Sequence, residues 1–259
     1  MPSGFKGASR PQFARQASLT AMTTPATVAG LTPDPALGTP VLDNVAWASL
    51  TGPHRSFAER HGAAARYLPE FAPFVALQGP DPWADAATLV GPGNRFGLAD
   101  DRRLPPAGWA VTDIGGGVQM VGVQLEPAHD PAAVRLGPAD LPEIRRLIDR
   151  TEPGPFRDRT VELGTYLGIR EGGRLVAMAG ERMHPPGWTE ISAVCTDPDY
   201  RGRRLATRLV LAVAAGIAER GERALLHASS DNVSAIRLYD RIGFRLRRIN
   251  RFRMVTVPE

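Results

Sequence analysis

The chain has 259 residues, 43% hydrophobic and 22% charged, enough apolar material for one substantial domain and a smaller one. A single cysteine, Cys195, excludes an internal disulfide framework and a multi-cysteine zinc site, and no apolar run approaches the ~18 residues of a membrane-crossing helix. The formal net charge is only +4 and Lys6 is the sole lysine; the arginines form no aromatic-interleaved stripe of the kind that stacks single-stranded nucleic acid.

Residues 1–40 hold no acidic residue before Asp34 and show no hydrophobic periodicity. They read as a disordered tail, with Met22 an alternative initiation site; no apolar segment follows the basic start, which argues against a secretory signal. Residues 41–125 read as an accessory N-terminal α+β lobe. Within it, Ser56–Arg66 has the spacing of a short amphipathic helix, and Pro69 and Pro73 break any regular element over Tyr67–Leu77. Asp85–Val90 reads as a helical turn closed by Gly91, Pro92 and Gly93. Trp109–Asp113 and Val118–Gln124 read as two strands around the triple glycine 115–117.

A firmer rhythm runs through residues 126–259. Val134–Leu136 is a short strand, and Asp140 is placed to cap a helix over Leu141–Asp149, with Leu141, Ile144, Leu147 and Ile148 at helical spacing. Thr165–Arg170 and Arg174–Arg182 form a hairpin around Glu171, Gly172 and Gly173. Trp188–Thr196 is a third strand. Arg203–Arg220 is a long helix with Leu205, Leu209, Val213 and Ile217 on one face, ending at Gly221. Ala224–Ala228 is a buried strand and Asn232–Ile242 a helix closed by Gly243, before strands over Phe244–Arg247 and Arg251–Val257. The order β-α-β-β-β-α-β-α-β-β predicts a mixed-sheet α/β domain.

The strongest chemical feature is the junction between the third strand and the long helix, Val194–Ala206. A strand feeds a proline-containing turn and then a basic, glycine-containing segment that opens into a helix. Free backbone N–H groups and the positive end of the helix dipole converge there, joined by Arg201, Arg203 and Arg204, so phosphate or pyrophosphate is the expected ligand. Neither a G-x-G-x-x-G nor a G-x-x-x-x-G-K-S/T pattern occurs, which disfavours Rossmann and P-loop sites. On these residues alone a dinucleotide, a nucleoside triphosphate or coenzyme A fits. The charge is local: residues 197–259 hold 13 arginines against seven acidic residues.

Tyr200–Ala206 resembles the coenzyme A loop of the GCN5-related N-acetyltransferases (GNAT), Q/R-x-x-G-x-G/A. Arg201 fills the first position and Ala206 the last, while Arg204 stands where glycine is expected. Asp231–Tyr239, followed by Gly243 and Phe244, is similar to the second coenzyme A helix of the same family, and the FR47-like subgroup is the nearest in pattern. The resemblance covers residues 132–255. It implies an α/β fold with a mixed, mostly antiparallel sheet flanked by helices and a smaller N-terminal lobe. It also implies acetyl-CoA as cosubstrate, with no metal; the five histidines show no metal-ligand spacing.

Residue by residue, the resemblance implies coenzyme A contacts at Val194, Cys195 and Thr196, at Arg201, Gly202, Arg203, Arg204, Leu205, Ala206 and Thr207, and at Asn232, also a natural N-cap. Arg204, in helical conformation, keeps its N–H in place if its side chain points outward. An amine of pKa near ~10 must shed a proton before attack; Glu190 matches the family's general-base glutamate, and Tyr239 its proton donor to the leaving sulfur. Strand alternation sets Glu190, Ser192 and Val194 on one face and Ile191, Ala193 and Cys195 on the other. A backbone N–H near Val194 on a bulged strand is the candidate oxyanion donor, and Cys195 reads as a small buried hydrophobe. The segment with Arg157, Arg159 and Glu162 is expected to form the acceptor wall, and His184 to border the cleft. The function so implied is N-acetyl transfer from acetyl-CoA to a primary amine of unknown identity in a ternary complex. The alternative is a non-catalytic acyl-CoA-binding or regulatory module. The expected setting is a cytoplasmic monomer or homodimer with no nucleic-acid or membrane partner.

Overall fold

The chain is described by a computed structural model covering residues 28–98 and 102–259. In chain order the elements are α1 (Val45–Thr51), β1 (Ala58–His61), β2 (Ala64–Tyr67), β3 (Phe74–Leu77), α2 (Trp83–Val90), β4 (Arg95–Leu98), β5 (Ala110–Gly122) and β6 (Ala133–Leu136). They continue with α3 (Leu141–Thr151), β7 (Tyr166–Glu171), β8 (Arg174–Glu181), β9 (Trp188–Thr196), α4 (Leu205–Glu219), β10 (Arg223–Ser229), α5 (Val233–Arg241) and β11 (Phe244–Thr256). Among the described residues the strands form one sheet in the order β1-β2-β3-β4-β11-β5-β10-β9-β8-β7-β6. Only β3/β4 and β9/β10 are parallel, so the expected mixed, mostly antiparallel α/β sheet is what the chain builds.

The same topology occurs twice. β1-β2-β3 is an antiparallel meander followed by crossover helix α2 and parallel strand β4. β7-β8-β9 repeats the pattern with α4 and β10. The long strands β5 and β11 pair with each other at the centre, and each also pairs with the strand that follows the crossover helix of the other half, β5 with β10 and β11 with β4. Residues 41–125 and 126–259 therefore share one sheet through exchanged central strands.

Elements governed by local pattern appear where the sequence places them. Gly172 (φ 54°) and Gly173 (φ 79°) both take the left-handed conformation of a tight hairpin turn, and α4 buries Leu205, Leu209, Val213 and Ile217 against the sheet. Four expectations need correction. Ser56–Arg66 is the β1/β2 hairpin, not a helix: Gly62 turns the chain at φ 49°, the Ala63 N–H donates to Asp85 (2.7 Å), and Ala64, Ala65 and Tyr67 pack into the interior. β3 forms directly after Pro73. The triple glycine lies inside continuous β5, where side chains cross two of its positions, Ser230 at Gly116 and Phe252 at Gly117; a Cβ on Gly117 would stand 2.6 Å from the Phe252 ring. β11 is likewise continuous and absorbs its irregularities as two register shifts, at Leu246/Arg248 and Phe252/Arg253.

Two smaller corrections concern ends. Asp140 holds the N-cap position of α3, but its side chain makes no capping bond to the helix; its carboxylate accepts from the Gly137 N–H at 2.9 Å and pairs with Arg170 at 2.6 Å. Residues 28–40 of the expected tail are tied down at points: Val28 is buried in the main core cluster, the Asp34 N–H donates to the Leu246 carbonyl, and the Leu37 carbonyl accepts from Arg247. Met22 and the rest of residues 1–27 lie outside the described residues. No described helix is long and apolar enough to cross a membrane.

Candidate active site

Strands β9 and β10 run parallel only from Trp188/Arg223 to Ile191/Leu226. Beyond that point β9 continues to Thr196 and β10 to Ser229 without pairing, so the sheet opens into a wedge. A bulge in β9 accompanies the opening: Ser192 opposes Gly180 and Cys195 opposes Met178, so Ala193 and Val194 together face Ala179. Ala193 sits at φ 52°, a left-handed conformation that costs a non-glycine residue roughly 1–2 kcal/mol. The extra residue also reverses the expected alternation. Ile191 and Val194 pack on the α4 side, whereas Ala193 and Cys195 pack with Ile144 and Leu147 of α3.

The segment between β9 and α4 is held from below. Asp197, 1% exposed, accepts from the Asp199 N–H and from Arg150 and Arg174, each side-chain contact at 3.0 Å. Burial alone would raise its carboxyl; the Asp199 N–H and the two guanidiniums hold it below the usual range. Gly202 (φ 77°) and Arg204 (φ 59°) are both left-handed, so Arg204 is not helical as expected but is the N-cap of α4 in a glycine-like conformation. The first helical bond runs from the Arg208 N–H to the Arg204 carbonyl (3.0 Å). That leaves the N–H groups of Leu205, Ala206 and Thr207 ahead of the helical ladder, at the positive end of α4. Arg203 pairs with Glu171 at 2.6 Å and lies over the Tyr200 ring.

On the far wall, Asn232 caps α5 by accepting from the Ala235 N–H at 3.2 Å. Ile236 and Tyr239 of α5 are buried, while Val233 at its start is exposed. The Tyr239 ring packs edge-on against Phe244, and burial, with Cys195 nearby, pushes its phenol up to about 12. Burial likewise raises the Cys195 thiol to about 11, which makes it a poor nucleophile.

These walls enclose a cleft of about 2200 Å³. Of the residues singled out in the sequence, Val194–Thr196, Arg201–Thr207, Asn232 and Tyr239 all line it. Glu190 does not. Its carboxylate is fully buried, gripped by Arg182 at 2.7 and 2.9 Å and by His227 Nδ1 at 2.7 Å. Burial alone would raise its pKa, but the Arg182 charge and the bonds from His227 and Arg182 hold it well below the usual carboxylate range. His184 stacks on His54, 4.6 Å between rings, away from the cleft. Arg159 pairs with Glu162 and Glu70 outside it, and the α3–β7 connection reaches the cleft through Thr151–Pro155 instead. Other parts of the wall come from residues with no motif, among them Leu42, Phe74 and Leu98 of the N-terminal half, Gln119 of β5, Arg182 and His227. His227 carried a weak signal, as a polar residue in a buried-strand run.

A family model described as FR47-like protein matches residues 166–253. A crystal structure of a protein assigned to the GNAT acetyltransferases from Novosphingobium aromaticivorans is 39% identical, superposes with a TM-score of 0.78, and aligns over 85% of this chain and 100% of that one. Mycothiol acetyltransferase of Saccharopolyspora erythraea is 29% identical over 167 residues, 58% of this chain and 53% of that protein. N-alpha-acetyltransferase RimI of Mycobacterium tuberculosis is 37% identical over 82 residues, 30% of this chain and 51% of that protein. The chain thus spans about half the length of these curated relatives. The mixed, mostly antiparallel sheet flanked by helices matches the fold of that acetyltransferase structure. The chain belongs to the GNAT family.

Proposed function

We propose that this protein is a cytoplasmic N-acetyltransferase that moves an acetyl group from acetyl-CoA to a primary amine by direct attack in a ternary complex. The observation that carries this reading is the coincidence, in one cleft, of an unpaired strand edge, a helix start with free N–H groups, and a buried phenol. The residues present fit the cosubstrate. The N–H groups of Leu205, Ala206 and Thr207, with Arg201 and Arg204 beside them, suit a pyrophosphate. Ser192–Thr196, without a β10 partner, offers backbone groups to an extended amide-bearing arm, and the Thr196 hydroxyl beside it is buried with no partner. Acetyl-CoA supplies the activated acyl carbon and a thiolate leaving group.

The chain's own groups then divide the work. The bulge at Ala193 and Val194 supplies a backbone N–H for the oxyanion. Tyr239 keeps its proton at neutral pH and donates toward the departing sulfur. Glu190 acts from beneath the cleft floor. The test is release of free thiol from acetyl-CoA across a panel of amines, with ligand-induced thermal shift measured alongside. Wild type is expected to bind and to release thiol with at least one amine, and Tyr239→Phe to bind equally while losing about 10- to 100-fold in kcat. A wild type that binds acetyl-CoA but releases no thiol with any amine is a non-catalytic acyl-CoA-binding module. One that shows no thermal shift is neither.

A further inference from the structure

Glu190 stands where the family places its base, yet it does not reach the cleft, and both of its carboxylate oxygens are engaged by Arg182 and His227. The residue that does reach the cleft is the one it holds. His227 lies on β10 one position past the last β9/β10 pair, at the throat of the wedge, and its side chain is 14% exposed. We propose that His227 is the catalytic base of this enzyme and that Glu190 is a positioning residue acting through it. The inference rests on the acyl-transfer reading above.

A chain of hydrogen bonds fixes which nitrogen is available. Arg247 Nη1 donates to Gln119 Oε1 (2.8 Å), so the Gln119 amide nitrogen must face the other way. There it donates to the Leu42 carbonyl (2.9 Å) and stands 3.1 Å from His227 Nε2. Both of its hydrogens are then committed, and Nε2 must be an acceptor. The ring proton therefore sits on Nδ1, donated to Glu190 Oε1 at 2.7 Å. Arg182 neutralises that carboxylate bidentately, so it stays ionised and cannot strip the proton from Nδ1. The charged and titratable groups around the imidazole are Glu190 from β9 and, beyond it, Arg182 just after β8, Tyr67 from β2, and Arg247 with Asp43 behind Gln119. A neutral imidazole nitrogen with its lone pair toward the cleft is a group that can take the proton an alkylammonium must lose before it attacks.

In the reaction the acceptor's ammonium displaces the Gln119 donor at Nε2. Its N–H bond breaks toward nitrogen, the proton passes to Nε2, and the Glu190 carboxylate balances the imidazolium. The freed pair forms the new N–C bond at the acyl carbon while the carbonyl oxygen takes the charge, and the C–S bond breaks as the carbonyl re-forms. The nitrogen's second proton replaces the one Tyr239 gives to the thiolate, and His227 returns its own to solvent.

The test compares His227→Gln with wild type in kcat/KM against pH, using the best alkylamine of the panel and a hydrazine, a nucleophile already neutral at assay pH. The expected result is a loss of about 100-fold or more with the alkylamine, disappearance of the acidic limb, a much smaller loss with the hydrazine, and an unchanged acetyl-CoA thermal shift. Equal losses with both nucleophiles on an unmoved pH limb, or no loss, would overturn the assignment while leaving the acyl-transfer reading intact. His227→Ala serves as the second variant, and its thermal midpoint checks folding. If wild type itself neither binds acetyl-CoA nor releases thiol, the acyl-transfer reading falls and this inference falls with it.

Discussion

Arg204 offers the sharpest test of the helix-start geometry. It is exposed, caps α4 at φ 59° and ψ 18°, and occupies the position where the family motif carries glycine. A left-handed conformation costs a residue with a β-carbon roughly 1–2 kcal/mol, whereas glycine loses about 0.5–1 kcal/mol more chain entropy on folding. Arg204→Gly should therefore stabilise the protein by about 0.5–1 kcal/mol, a rise of about 1–3 °C in Tm for a chain of this size. Arg204→Ala removes the same guanidinium but keeps the β-carbon, so its stability should stay within about 0.5 kcal/mol of wild type. Urea denaturation without cosubstrate separates the two effects, because the midpoint difference between Gly and Ala variants reports the backbone alone. Acetyl-CoA affinity should fall equally in both if the guanidinium meets the pyrophosphate. A Gly variant no more stable than the Ala variant would refute a left-handed cap at this position.

Three further outcomes follow from the interior. His54 is held down to about 3, by burial first and by His184 second, so it stays neutral while the unfolded chain takes a proton below about pH 6.5; stability is full above that pH and falls as pH drops. This residue should cost about 2 kcal/mol between pH 7 and 5, and His54→Gln should flatten that part of the urea-midpoint profile; an unchanged slope would contradict the assignment. Glu190→Ala leaves the buried Arg182 guanidinium unpaired and should lose about 3–5 kcal/mol in the same assay, and a loss under 1 kcal/mol would show that water reaches the pair. Calorimetry should find one acetyl-CoA per chain: the loop before α2, the counterpart of the anion-attracting loop, contains Pro80 and Pro82, which have no N–H, and the acidic Asp81. Two equivalent sites would contradict that reading.

What the chain's local patterns determine is most of the C-terminal half and the cofactor side of the cleft. The β7/β8 turn needs two left-handed residues and has two glycines; α4 and α5 show helical spacing with a glycine beyond each end. The anion-attracting loop is contiguous, so its strand, turn, arginines and helix start could be read together before any tertiary contact was known. The tertiary structure alone decided the rest. β1 and β2 become strands because partners and Asp85 pull the chain around Gly62, overriding a helical spacing. Two of the three glycines sit in β5 where side chains from other segments cross the strand, Ser230 over Gly116 and Phe252 over Gly117. The β9 bulge moves Cys195 to the face opposite Ile191, which no alternation rule applied to β9 alone can foresee. The proton-handling group depended on the longest-range contacts: Gln119 is tied to Leu42 across 77 positions and to Arg247 across 128, and Glu190 meets His227 across 37. Periodicity reports which face of an element is apolar, whereas a hydrogen-bond chain that selects one tautomer exists only once separate strands have been brought side by side.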